Sequence, residues 1–247
     1  MTSKIKALVL AFVAITAMTA VAASGAQAGK LDVGVAPAVL TAGSDAGQET
    51  VLSVQNTAKT TTLNAKCTTA SLEGTVEVKT VEEATLTATY GTGKGVFSEA
   101  QGCTVGGIKS QVLMNGCKYT VTGVEQAANT YVIDITGCTS GKQIEVNVAA
   151  GGCALKIPEQ TGLKHVIGKQ LNAQEVTLEG TAAEIKVQQS GGASCPDGAT
   201  AHTGTSGAFT SNTILKAFQD SGTKQVTKHG HQYTEHLCGT QVQIQST

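Results

Sequence analysis

The sequence predicts an all-β protein, an antiparallel β-sandwich (Ig-like or jelly-roll-like) stabilised by disulfides. Three observations carry that expectation. Short runs alternate apolar and polar residues with period two, as antiparallel strands packed on one face do. Glycine turn signals separate these runs at close intervals, among abundant threonine. Between 103 and 153, four of the seven cysteines each follow a glycine: Gly102-Cys103, Gly116-Cys117, Gly137-Cys138 and Gly152-Cys153. A glycine beside a half-cystine suits a strand end, because it accepts positive φ and lets two backbones approach closely.

Residues 1–28 read as an export signal peptide. Lys4 and Lys6 precede an apolar run over 7–23, and Ala26-Gln27-Ala28 offers a small-x-small cleavage site. The run is brief for a bilayer span and has no basic stop, so a secreted, extracellular protein with no membrane span after cleavage is expected. Residues 29–48 are rich in Gly, Ala, Val and Asp without strict periodicity, and read as an extended N-terminal arm or first edge strand. Residues 49–247 read as a single disulfide-stapled β domain. Two small barrels divided near Pro158-Gln160 are the alternative.

Within that domain, Ala84, Leu86, Ala88 and Tyr90 alternate with threonines. Tyr131, Ile133 and Ile135 form a second such face, and Ile144, Val146 and Val148 a third. The pattern recurs at Ala183-Ile185-Val187 and Val242-Ile244. Turns are expected at Gly91-Thr92-Gly93, Gly106-Gly107, Asn115-Gly116, Ser140-Gly141, Gly151-Gly152, Gly191-Gly192 and Asp197-Gly198. The helical candidates, 98–101 and 215–220, are too short to build a layer. Pro158 and Pro196 mark edges or loop starts.

Seven cysteines in an exported chain imply a disulfide framework with one thiol left over. The spacings Cys103 to Cys117 and Cys138 to Cys153 each match two strands and a turn, which suggests those pairings. Cys67 with Cys195 would then tie early chain to late chain, leaving Cys238 unpaired and open to dimer formation. Cys195 with Cys238 is the rival.

Composition removes several function classes. Every basic residue is lysine, and the balance moves from 17 Lys against 18 Asp and Glu to 15 against 18 once Lys4 and Lys6 leave. Without arginine, nucleic-acid binding and bidentate phosphate capture are disfavoured. Aromatics are 3% of residues and tryptophan is absent, so sugar-stacking platforms are scarce and the core must come from Val, Ile, Leu and Ala.

From Cys67 onward a series of short motifs runs in order. They are Leu72-Glu73-Gly74-Thr75, Gly102-Cys103-Thr104, Met114-Asn115-Gly116-Cys117-Lys118-Tyr119-Thr120 and Cys138 with Gly141-Lys142-Gln143-Ile144-Glu145-Val146. Cys153-Ala154-Leu155-Lys156-Ile157-Pro158, Gln160 with Gly162-Leu163 and Val166, and Cys195-Pro196-Asp197-Gly198 follow. In these the chain resembles a family of uncharacterised secreted, cysteine-containing β-rich proteins found mainly in actinobacteria. The resemblance implies export, a disulfide-bonded β fold and no assigned activity, and it transfers no catalytic residue. Cys238 is extra to that pattern, and Gln243-Ile244-Gln245 stands where an aromatic residue is expected.

The densest cluster of reactive side chains is His229, His231, Glu235, His236 and Cys238. His229, His231, His236 and Cys238 would make a tetrahedral N₃S set for zinc or copper; a solvated loop beside a free or bonded thiol explains the same residues. The inverted zinc-protease motif fails on spacing between His231 and Glu235-His236. Thr205-Ser206-Gly207 and Ala193-Ser194-Cys195 lack the nucleophile elbow of serine hydrolases. Glu82 and Glu83 are strand neighbours facing opposite ways, His165 has no partner in sequence, and His202, beside Thr203-Gly204, reads as a loop residue. No glycine-rich phosphate loop exists. The expected function is therefore a non-catalytic secreted or cell-surface structural or binding protein, without cofactor, meeting an envelope or extracellular partner. An extracellular metal-binding protein is the alternative, and a secreted hydrolase is least favoured.

Overall fold

The computed structural model describes residues 30–44, 47–56, 58–90, 102–124, 129–148, 152–192, 195, 197, 202–228 and 231–246. Among them no helix occurs, and the strands in chain order begin β1 (Leu31–Val33), β2 (Ala38–Ser44), β3 (Thr50–Gln55), β4 (Thr62–Cys67), β5 (Ala70–Val76) and β6 (Thr80–Val81). Next come β7 (Glu83–Tyr90), β8 (Cys103–Val105), β9 (Ile108–Leu113), β10 (Lys118–Gly123), β11 (Thr130–Thr136) and β12 (Ile144–Val148). The last are β13 (Ala154–Ile157), β14 (Gln160–Asn172), β15 (Glu175–Ser190), β16 (His202–Lys228), β17 (His231–Val242) and β18 (Ile244–Ser246).

All pairings between these strands are antiparallel, and the main sheet closes on itself twice. The first ring runs β16-β2-β5-β7-β10-β11-β14-β15 and returns to β16. The second runs β15-β13-β12-β9-β8-β4-β3-β16, closed by the same β15–β16 ladder. The expected sandwich of two open sheets is therefore replaced by closed rings sharing two long strands. Closure removes the free edges that a sandwich leaves exposed. The chain visits the rings alternately, so a cut near Pro158-Gln160 does not divide them.

Each ring has its own core. Leu40, Leu86, Val176 and Leu215 fill the first; Val105, Ile144, Leu155 and Ile185 fill the second. Ile133 packs against both. A small sheet of β18, β1 and β6 lays Leu31, Val33, Val81 and Ile244 onto the first core. The Tyr131 hydroxyl ties this sheet down by donating to the Lys30 carbonyl at 2.9 Å. Gly74 on β5 is required by packing: a Cβ there would collide with the Thr85 carbonyl oxygen and meet Leu86 Cδ2 at 2.8 Å.

The alternating runs at 84–90, 131–136 and 144–148 become β7, β11 and β12, with Ala84, Leu86 and Ala88 buried and Glu83, Thr85 and Thr87 exposed. The stretch expected to be an arm or edge strand supplies β1 and β2. β2 is hydrogen-bonded on both sides, to β16 and β5, and Ala38, Val39 and Leu40 are fully buried. Residues 215–220, a helical candidate in sequence, lie inside β16; residues 98–101 lie outside the described residues.

Three disulfides form, Cys67–Cys103, Cys117–Cys138 and Cys153–Cys195, and Cys238 is free. The six bridging cysteines are those expected, but all three expected pairings are corrected. The β8–β9 hairpin folds Lys109 onto Thr104, so Cys117 lies far past the residue opposite Cys103. Instead Cys103 faces Cys67 directly across the β4–β8 ladder. Cys117 and Cys138 flank the β10–β11 hairpin, whose outermost pair is Lys118 and Thr136. Gly102, Gly116, Gly137 and Gly152 all have positive φ, as their position before cysteine implied. Such a set of intrachain disulfides belongs to a chain that folds in an oxidising compartment.

Candidate functional site

The metal-ligand cluster expected near the C-terminus falls on a two-stranded ribbon. Beyond Gln219, β16 loses its pairing with β2 and pairs only with β17. Thr223 faces His236 and Asp220 faces Cys238, so β16 carries one extra residue between them, a bulge at Ser221-Gly222. Gly222 takes φ +104°, which the bulge requires. The bend brings the Asp220 carboxylate to His236 Nδ1 at 2.9 Å, while its other oxygen accepts the Gly222 amide at 2.8 Å.

Asp220 thus touches His236 and faces Cys238 across the ladder, whereas His231 is five residues up the strand, about 17 Å away at strand rise. His229 lies outside the described residues. Among the described residues no group of three or more His, Cys, Asp or Glu side chains is placed to hold a metal ion.

The Gly222 amide, and after it His236, holds the Asp220 carboxyl below its ordinary range. A depressed folded pKa contributes stability at pH values above the ordinary one, lost as acid carries the pH down through the folded value. An acid titration of unfolding should therefore show wild type losing more stability than Asp220→Asn over that interval. The Cys238 thiol is pushed up, first by partial burial of its sulfur, then by the Glu73 and Asp220 carboxylates. A raised thiol pKa lowers the thiolate fraction at neutral pH. Alkylation of Cys238 by a maleimide at pH 7 should run slower than that of an unstructured cysteine. Glu73→Gln should accelerate it.

A second site, which no motif in the sequence marks, lies inside the closed sheet. A hollow of about 70 Å³ occupies the second ring, lined by apolar side chains that include Leu52, Val112, Ile135, Ile144, Val146 and Ile185. Another, of about 50 Å³, lies in the first ring between Leu72, Leu86, Val121 and Leu178. Tyr119, Ile133 and Phe209 border both and form the partition between them. One polar contact crosses this boundary: Thr50 Oγ1 of the first lining lies 3.3 Å from Ser211 Oγ of the second. Thr50 is 4% and Ser211 8% exposed, so the hydroxyls are shut off from solvent.

An outer groove of about 470 Å³ abuts the larger hollow, with Ile135 and Leu163 lining both. It exists because β14 and β15 pair only from Val166–Gly180 to Asn172–Glu175 and then fork. Glu184 takes φ +60° where β15 bends away. Gln160 spans the fork with its side chain. Its Nε2 donates to the Lys186 carbonyl at 3.3 Å, and its Oε1 accepts the Lys186 amide at 2.9 Å. One amide side chain thus replaces a missing rung of the ladder. Gln160→Ala should cost about 1–3 kcal/mol, the usual penalty for stranding partly buried polar groups. Urea denaturation would measure that loss, and faster exchange of the Lys186 amide proton would locate it.

This site was illegible in sequence because its parts are ordinary residues far apart in the chain. Thr50 and Ser211 are 161 positions apart, and Gln160 and Lys186 are 26. Neither pair forms a motif. Comparison with protein-family models, with curated proteins and with solved structures found no match to this chain.

Proposed function

We propose that this is an exported, non-catalytic binding protein, working outside the cell or at its surface, that holds a small molecule within its closed sheet. The hollow in the second ring carries this reading. A ring of eight strands encloses an interior just wide enough for its side chains or for one small ligand. Here the side chains leave about 70 Å³ unfilled beside an outer groove. The described lining contains no carboxylate, imidazole or amine, which favours holding a molecule over transforming it. Xenon-129 NMR of the mature chain, residues 29–247, tests the reading. Saturable xenon or benzene binding that is lost when Ala182→Leu fills the hollow supports it, and no saturable binding of either gas or solvent ends it.

A further inference from the structure

We infer that the ligand is an uncharged, benzene-sized molecule bearing one oxygen, and that this oxygen docks on the Thr50–Ser211 hydroxyl pair. The inference rests on the interior-binding reading and adds the ligand's size, charge and polar anchor.

Size comes from the two hollows. An apolar cavity that accepts benzene is about 150 Å³. The hollows of about 70 and 50 Å³ are each too small alone. They become one compartment of the right order when the side chains of Tyr119, Ile133 and Phe209 shift aside. A ligand seated there replaces that partition and touches both rings.

Charge is excluded by desolvation. Moving an ion into a lining of aliphatic side chains without a counter-charge costs far more than packing returns. The oxygen follows from proton counting. Each hydroxyl carries one proton and two acceptor lone pairs. The Thr50–Ser211 contact uses one of the two protons, and among the described residues neither hydroxyl makes another hydrogen bond. The second proton therefore has an acceptor to gain, and a ligand hydroxyl or carbonyl at the partition supplies it. Thr213, buried beside Ser211 on the lining of the smaller hollow, adds a third hydroxyl within the same region.

The test compares benzene, phenol and benzoate as probes, by calorimetry and ligand-observed NMR on the full mature chain. Phenol is expected to bind about 3- to 10-fold tighter than benzene, the worth of one neutral hydrogen bond. Benzoate is expected not to bind. Replacing both hydroxyls, Thr50→Val with Ser211→Ala, should bring phenol to parity with benzene. Removing both partners of a buried hydrogen bond together is close to neutral for stability, and thermal unfolding of the variant checks that it folds. The phenol-to-benzene ratio in wild type needs no variant at all. Equal binding of phenol and benzene to wild type overturns the polar anchor while leaving the interior-binding reading intact. Benzoate binding overturns the charge argument, and failure of all three probes overturns both proposals.

Discussion

Leu155→Ala is expected to destabilise the protein by about 2–5 kcal/mol, the range for emptying a fully buried leucine site. Leu155 is 0% exposed on β13, between Val146 of β12 and Gln189 of β15. It does not line the existing hollow, so truncation opens a new void. Leu40→Ala, 0% exposed on β2, should cost a similar amount in the first ring. The two variants also ask whether the rings unfold together. β15 and β16 belong to both ladders, so neither ring keeps its closure when the other opens. Urea unfolding of either variant should show one transition, with near- and far-ultraviolet circular dichroism coinciding. Two separable transitions, one of them unmoved by Leu155→Ala, would show that the rings are independent.

Removing the Cys117–Cys138 bridge, as Cys117→Ala with Cys138→Ala, should cost about 3–4 kcal/mol. That figure is the chain entropy restored to the unfolded state when a closed loop of this length is released. The bridge spans 21 residues and Cys153–Cys195 spans 42. Doubling a loop adds only about 0.6 kcal/mol, so the two deletions should be of nearly equal cost if entropy dominates. A Cys238→Ser background keeps the free thiol from exchanging with the bridges. Chemical denaturation measures each loss, and a cost below about 1 kcal/mol for the 117–138 pair would contradict the entropic account.

The alternating runs were legible because a strand packed on one face must repeat every two residues, and 144–148 shows it without interruption. β15 shows where that signal fails. Val176, Leu178 and Gly180 are buried at even positions, then Ile185, Val187 and Gln189 at odd ones. The register shift between Ala182 and Ile185 reverses the phase, and a phase reversal in sequence looks like the end of one strand. β16 is harder still. It faces β3 near 207–210, β2 near 213–219 and only β17 beyond, so no single pattern serves its 27 residues. Residues 215–220, a helical candidate in sequence, lie within it.

The amino-acid order by itself determined the strand class, a disulfide framework with one thiol left over, and the glycines that turn before four of the cysteines. Each is a local consequence of backbone sterics or of redox chemistry, and needs no distant partner. Which cysteine met which, the closure of the sheet into two rings, and the meeting of Thr50 with Ser211 were decided only in three dimensions. Register and ring closure depend on contacts between residues tens to more than a hundred positions apart, and no local preference encodes such distances.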